Sequence, residues 1–148
     1  MGDVTNFLVS VNSVKKLHEN MLRSICAEND LNYSEAAVIC FLFNNPEKDT
    51  AADIVELRKL SKTSVSQAVE SLQKRNFLVC QRDEKDRRRI HLALSEDAVP
   101  VIKSLEQAQK NFYSEIFNGF TDKEIRQFRK INAQIAKNAE RALRGCAF

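Results

Sequence analysis

The chain has 148 residues, 43% of them hydrophobic and 29% charged, with a formal net charge of +3. That is about one domain's length, enough to bury roughly two-thirds of the unfolded surface. The composition excludes a disordered chain, and no apolar run of about 18 residues is available to span a bilayer.

Val4, Phe7, Val11, Val14, Met21 and Ile25 step by three and four along one stripe, interrupted by His18. The spacing predicts a long amphipathic helix over about residues 4–28, with Leu8, Leu17 and Leu22 widening its apolar side. Its heptad-like seam suits contact with a second chain. Asn32-Tyr33-Ser34-Glu35 has the form of a capping box, opening an apolar helix from Ala36 to Phe43 that Asn44-Asn45-Pro46 stops. Thr50 to Asp53 is a second cap, opening a short helix over 51–60 with Ile54, Leu57 and Leu60 inward. Ser61 to Ser64 reads as a polar turn. Val65, Ala68, Val69 and Leu72 then predict a helix over 65–75, ended at Asn76, which tolerates the left-handed conformation.

Residues 77–82 and 89–94 read as strands, the second alternating Ile90, Leu92 and Leu94 on one face. The charged tip Asp83 to Arg88 joins them as a hairpin. Ser95, Glu96 and Asp97 are expected to cap a long helix carrying Ile102, Leu105, Phe112, Ile116 and Phe117, with Pro100 kinking it or shifting its start. Gly119-Phe120 breaks that helix, and Thr121 to Glu124 caps a last one with Ile125, Phe128, Ile135, Ala139 and Leu143. The fold class is mainly α with a small β-hairpin. No repeat or long linker divides the chain, so one domain over 1–148 is expected.

Charge is unevenly placed along this order. Residues 1–57 carry a net −5, residues 58–89 a net +6 and residues 90–148 a net +2. A concentrated basic block suits a polyanion, although charge alone fits a solvated face equally. Order and spacing add the stronger signal. Two short helices joined by a polar turn, followed at once by a basic hairpin, make a winged helix-turn-helix, whose second helix enters the DNA major groove. The N-terminus of that helix offers Lys62, Thr63, Ser64, Ser66 and Gln67. Hydroxyls and helix-terminal amides suit phosphate oxygens, and glutamine can read adenine. The hairpin tip offers Arg87, Arg88 and Arg89, and a thin arginine-bearing ribbon suits the electronegative minor groove.

These residues resemble the MarR family of bacterial transcriptional regulators. The resemblance is carried by KTSVSQAVESL at 62–72, RNFLVCQR after it, DRR at 86–88, Leu94-Ser95-Glu96, and the capped helix at Leu31-Asn32. It implies a homodimer, with a winged helix-turn-helix over about 31–95 and dimerisation helices over about 4–28 and 96–144. Two such lobes would read a pseudo-palindromic operator, with a ligand-responsive repressor as the implied role. By the same match Lys62, Thr63, Ser64, Ser66 and Gln67 fall on the recognition helix, Arg88 on the wing arginine and Asp86 on the residue that braces the wing. Gln67 stands where many relatives carry Arg, Asn76 replaces Gly, and Ala98 replaces a frequent Gly.

Many relatives respond to small aromatic or anionic ligands, and His18, with Lys15 nearby, is the candidate for such a pocket. A packed core or interface histidine is the other reading of His18. Cys26, Cys40, Cys80 and Cys146 show no metal spacing, and the first three sit in apolar segments, so reduced thiols in a cytoplasmic protein are expected. The N-terminus lacks a basic segment ahead of an apolar one, so no secretory signal is expected. Neither Cys26 nor Cys80 has a context that marks a redox sensor, yet a cysteine-based regulator remains an alternative. No cofactor or metal is expected. With three glycines and no phosphate loop, nucleophile elbow or HExxH, neither is an enzyme. The alternative from another class is a winged-helix module that docks an acidic protein.

Overall fold

The computed structural model describes residues 2–146. Six helices and one hairpin follow the expected order: α1 (Asp3–Glu28), α2 (Tyr33–Asn44), α3 (Ala51–Arg58), α4 (Lys62–Lys74), β1 (Leu78–Arg82), β2 (Ile90–Leu94), α5 (Val99–Ile116) and α6 (Asp122–Gly145). The chain forms two compact units, residues 1–112 and 113–148.

Within the first unit, α2 is the central element. Seven of its twelve residues are buried, as expected for a helix that is apolar on nearly every side. Val38 and Ile39 sit among Leu22 and Cys26 of α1, Ile54 of α3, Val65, Ala68 and Leu72 of α4, Leu78 and Leu92 of the hairpin, and Val101 and Leu105 of α5. At the start of α2, Asn32 and Glu35 exchange side-chain and backbone hydrogen bonds, so the capping box forms as the sequence predicts.

Two helices end in the same way. Asp30 (φ 52°) and Asn76 (φ 60°) take the left-handed conformation after α1 and α4. Behind them the Leu31 amide donates to the Cys26 carbonyl at 2.8 Å, and the Phe77 amide to the Leu72 carbonyl at 2.9 Å. This is the Schellman arrangement, which satisfies carbonyls that a helix end leaves unpaired.

Several expected boundaries and faces are corrected. Helix α3 stops at Arg58, because Lys59 turns left-handed at φ 55°. Leu57 of α3 is exposed, while Ile54 and part of Leu60 reach the core. Lys62, Thr63 and Ser64 form the first turn of α4 and are not part of the preceding turn, because Ser61 caps that helix by accepting the Ser64 amide at 3.0 Å. On α1 the buried residues are Leu22 and Cys26, whereas Val4, Phe7, Val11 and Val14 are exposed. Ser95 makes no side-chain cap. Its hydroxyl donates instead to the Asn76 carbonyl, and a 3-10 turn over Glu96–Ala98 leads into α5. Pro100 then lies in the first turn of α5, where its missing N–H leaves no bond unmade.

In the second unit, Phe117 gathers Tyr113, Phe120 and Phe128 at centroid distances of 4.6, 6.3 and 5.3 Å. Thr121 and Glu124 complete a capping box at the start of α6. No described residue of α6 is buried, and Phe128, Ile131, Ile135 and Leu143 are exposed along it.

Candidate nucleic-acid interface

The α3–α4 pair is positioned by its caps and by one apolar seam. Thr50 caps α3 through Asp53, and Ile54 packs with Val65, Ala68 and Leu72 of α4. Burying 65, 68 and 72 turns the opposite side of α4 outward by helical periodicity. Lys62, Thr63, Ser66 and Gln67 are accordingly exposed, all within the first two turns. Ser64 differs: it is half-buried, and its hydroxyl accepts from Ser61 Oγ at 2.8 Å. A helix N-terminus with free amides, one lysine, two hydroxyls and one carboxamide is suited to hydrogen bonding phosphates and base edges.

The hairpin pairs Leu78 with Leu94, Cys80 with Leu92 and Arg82 with Ile90. Leu78 and Leu92 face the core, while Gln81, Arg82 and the whole tip from Glu84 to Arg89 are exposed. The tip is ordered by two aspartates. Asp83 Oδ2 accepts the amides of Lys85 and Asp86 at 3.0 and 2.8 Å, and Asp86 Oδ1 accepts the amide of Arg88 at 3.0 Å. Among the described residues, Lys62, Arg87 and Arg88 enter no ion pair.

The +6 block divides once its partners are seen. Lys74 pairs with Glu70 within α4. Arg75 reaches Glu35 and donates to the Asn29 and Asp30 carbonyls at 2.7 Å, so it serves the fold. Arg58 donates to the Tyr33 hydroxyl at 3.3 Å. The remaining cations are concentrated on the α3–α4 turn, the start of α4 and the wing.

Sequence reasoning missed His91. Its Nδ1 lies 2.8 Å from Asp49 Oδ1 and its Nε2 2.8 Å from Asp83 Oδ1, joining the wing to the segment before α3. Hydrogen bonds donated by the His91 ring to the two carboxylates, Asp83 first and then Asp49, hold the His91 pKa above the ordinary histidine value. The alternation of β2 marks position 91 as lying on the opposite face from Leu92, but nothing in the sequence names its partners.

The two effector candidates occupy different surroundings. His18 is half-buried and meets Phe112 edge-on at 5.0 Å. Burial lowers its pKa, and the Arg58 charge lowers it further. Lys15 is exposed, on a shallow groove along α1 with Lys16, Glu19 and Arg23. Arg58, which sequence reasoning did not single out, and Glu19 are the charged groups that act on His18, Glu19 in the opposite direction. The thiols are all free. Burial raises the pKa of Cys26 and Cys80, and that of Cys40 to about 11.

The MarR family model matches residues 29–89. No curated protein sequence matches the chain. Among solved structures, a MarR-family regulator from Rhodococcus sp. RHA1 superposes with a TM-score of 0.71 at 15% identity, covering 92% of this chain and 96% of its own. BpsR of Bordetella bronchiseptica, described in connection with regulation of its DNA binding by 6-hydroxynicotinic acid, gives 0.67 at 17% identity, with 91% and 99% covered. A mutant of S. aureus MepR bound to an oligodeoxyribonucleotide gives 0.54 at 13% identity, with 94% and 99% covered. These likenesses show a shared fold. The segment that builds the α3–α4 pair and the start of the wing, residues 29–89, is the part of the chain that is similar to the MarR family.

Proposed function

We propose that this protein is a transcriptional regulator that binds duplex DNA in a sequence-specific manner as a homodimer on a pseudo-palindromic operator, acting as a ligand-responsive repressor. The observation that carries the DNA reading is the pairing of two exposed features. The first turns of α4 present Lys62, Thr63, Ser66 and Gln67, and the adjacent wing presents Arg87 and Arg88 without acidic partners among the described residues. In a winged helix the first set suits the major groove and the second the minor groove. Ser64 contributes to the cap and to the phosphate-facing terminus, and Asp86 braces the wing through the Arg88 amide.

A second copy of the chain accounts for the apolar surface left on the long helices. Val4, Phe7, Leu8, Val11 and Val14 on α1, and Phe128, Ile131, Ile135 and Leu143 on α6, are exposed at helical spacing. An apolar stripe exposed along a helix in this way suits an interaction site. The dimer places two reading heads on one duplex, which suits a pseudo-palindromic site.

The effector role rests on the surroundings of His18. A half-buried imidazole against Phe112, near the arginine that holds Tyr33, offers both a ring to stack on and a cation. That chemistry suits a small aromatic or anionic ligand, the class to which the ligand of BpsR belongs. No described helix is long and apolar enough to cross a membrane, consistent with action on DNA in the cytoplasm.

Selection of bound duplexes from a random pool, repeated with candidate aromatic acids, tests the proposal. Enrichment of an inverted repeat, and its release by an acid, supports the full reading. Binding with no sequence preference, or only to acidic proteins, points to the interaction-module reading.

A further inference from the structure

We propose that His91 is a protonation-dependent clasp that positions the wing, so that the protein grips duplex DNA more tightly when His91 is protonated. The inference rests on the DNA-binding reading above and adds a regulation to it.

Carboxylate oxygens can only accept hydrogen bonds. A neutral imidazole has one N–H to give, so between two carboxylates it serves one and turns a lone pair toward the other. His91 has Asp49 Oδ1 and Asp83 Oδ1 each at 2.8 Å, one on either ring nitrogen. Only the imidazolium donates to both. The protonated ring is therefore the form that closes this geometry, and its loss leaves an anion facing a lone pair.

The two carboxylates belong to different parts of the reading head. Asp49 precedes α3, where its carbonyl accepts the Leu92 amide at 2.8 Å and Thr50 forms an isolated bridge with His91. Asp83 begins the wing tip and holds the Lys85 and Asp86 amides with its other oxygen. The clasp thus runs from the helix-turn-helix through His91 to the turn that carries Arg87 and Arg88. Other charged groups nearby are Arg82, Glu84 and Lys85, which line the same groove from the hairpin. Asp53 of α3 is engaged by the Thr50 amide and hydroxyl.

The direction with pH follows from these partners. The His91 pKa is raised above 6.5, while the Asp83 carboxyl is lowered to about 2, first of all by the His91 hydrogen bond. The clasp is fully closed below pH 6.5 and opens as pH rises through the raised His91 value. Asp83 stays ionised until pH falls toward 2, so mild acid does not open it.

The test compares the parent, His91→Gln and Asp49→Asn from about pH 5.5 to about pH 8.5 at fixed salt. Affinity is measured for a mixed-sequence duplex containing A·T tracts, and amide exchange is followed at Lys85 and Asp86 in the free protein. The expected parent profile is a severalfold loss of affinity across the His91 titration, with exchange at both amides rising beyond its ordinary increase with pH. Both steps move to lower pH in Asp49→Asn and vanish in His91→Gln. Matching profiles for the parent and His91→Gln overturn the clasp, and an exchange step without an affinity step overturns its link to binding. If the parent binds duplex at no pH, the DNA reading itself fails, and the exchange step alone then upholds or overturns the clasp.

Discussion

Arg75, at the end of α4, lies 3.7 Å from the buried carboxylate of Glu35 in α2. The same guanidinium holds the Asn29 and Asp30 carbonyls and lies over the Phe77 ring, while Glu35 also accepts from Ser71 and from the Asn32 amide. One carboxylate thereby links the α1–α2 turn, the α2 cap and α4. Glu35→Ala strands those donors and is expected to cost about 2–4 kcal/mol. Glu35→Gln retains an acceptor and should cost less than half of that. Urea midpoints at constant m-value check both.

Lys59 holds a left-handed conformation at φ 55° without the freedom of glycine. Lys59→Gly should stabilise the protein by about 1 kcal/mol, and Lys59→Val should destabilise it. Thermal unfolding of the two variants gives the comparison.

Local patterns carried the helices into view, and long-range geometry withheld the rest. The caps at Asn32, Thr50 and Thr121 each join groups three residues apart, so their residue types announce them. The end of α3 was missed because a lysine, not a glycine or asparagine, takes the left-handed position. Leu57, expected inward, is exposed, and the Ser61 cap adds Lys62 to Ser64 to α4. The exposed side of α4 was legible from the spacing of Val65, Ala68 and Leu72. The His91 clasp was not, since Asp49 lies 42 residues away and meets it only through β2 pairing beside the segment before α3. Arg75 and Arg87 look alike in a charge count, yet the first is bound into the fold and the second is free of ion pairs among the described residues.

If α6 supplies a dimer contact, Phe128→Asp combined with Ile135→Asp should separate the copies. Each buried apolar anchor contributes about 2 kcal/mol, so losing both should raise the dissociation constant by about three orders of magnitude. Sedimentation equilibrium reads the mass, and circular dichroism confirms that the helices persist. An unchanged mass at micromolar concentration removes α6 from the interface.

The raised pKa values of Cys26, Cys40 and Cys80 keep these thiols protonated at neutral pH. The thiolate is the reactive form, so alkylation by iodoacetamide at pH 7 should be slower than for a free cysteine. Peroxide should also leave duplex binding equal in the parent and in the Cys26→Ser, Cys80→Ser variant. Release of DNA from the parent alone would restore the redox-sensing alternative.

At the recognition helix, Gln67→Ala should relax sequence preference at one operator position by about 1–3 kcal/mol. Its affinity for unrelated duplex should stay the same. Competition among single-base operator variants measures this.

The most direct test of the central claim is the salt dependence of duplex affinity for the parent and Arg88→Ala. A wing arginine that neutralises a phosphate contributes about one unit to the slope of log affinity against log salt. The account predicts a steep parent slope that Arg88→Ala lowers by about that amount, together with weaker binding at every salt concentration. Identical slopes and affinities for the two proteins would contradict it.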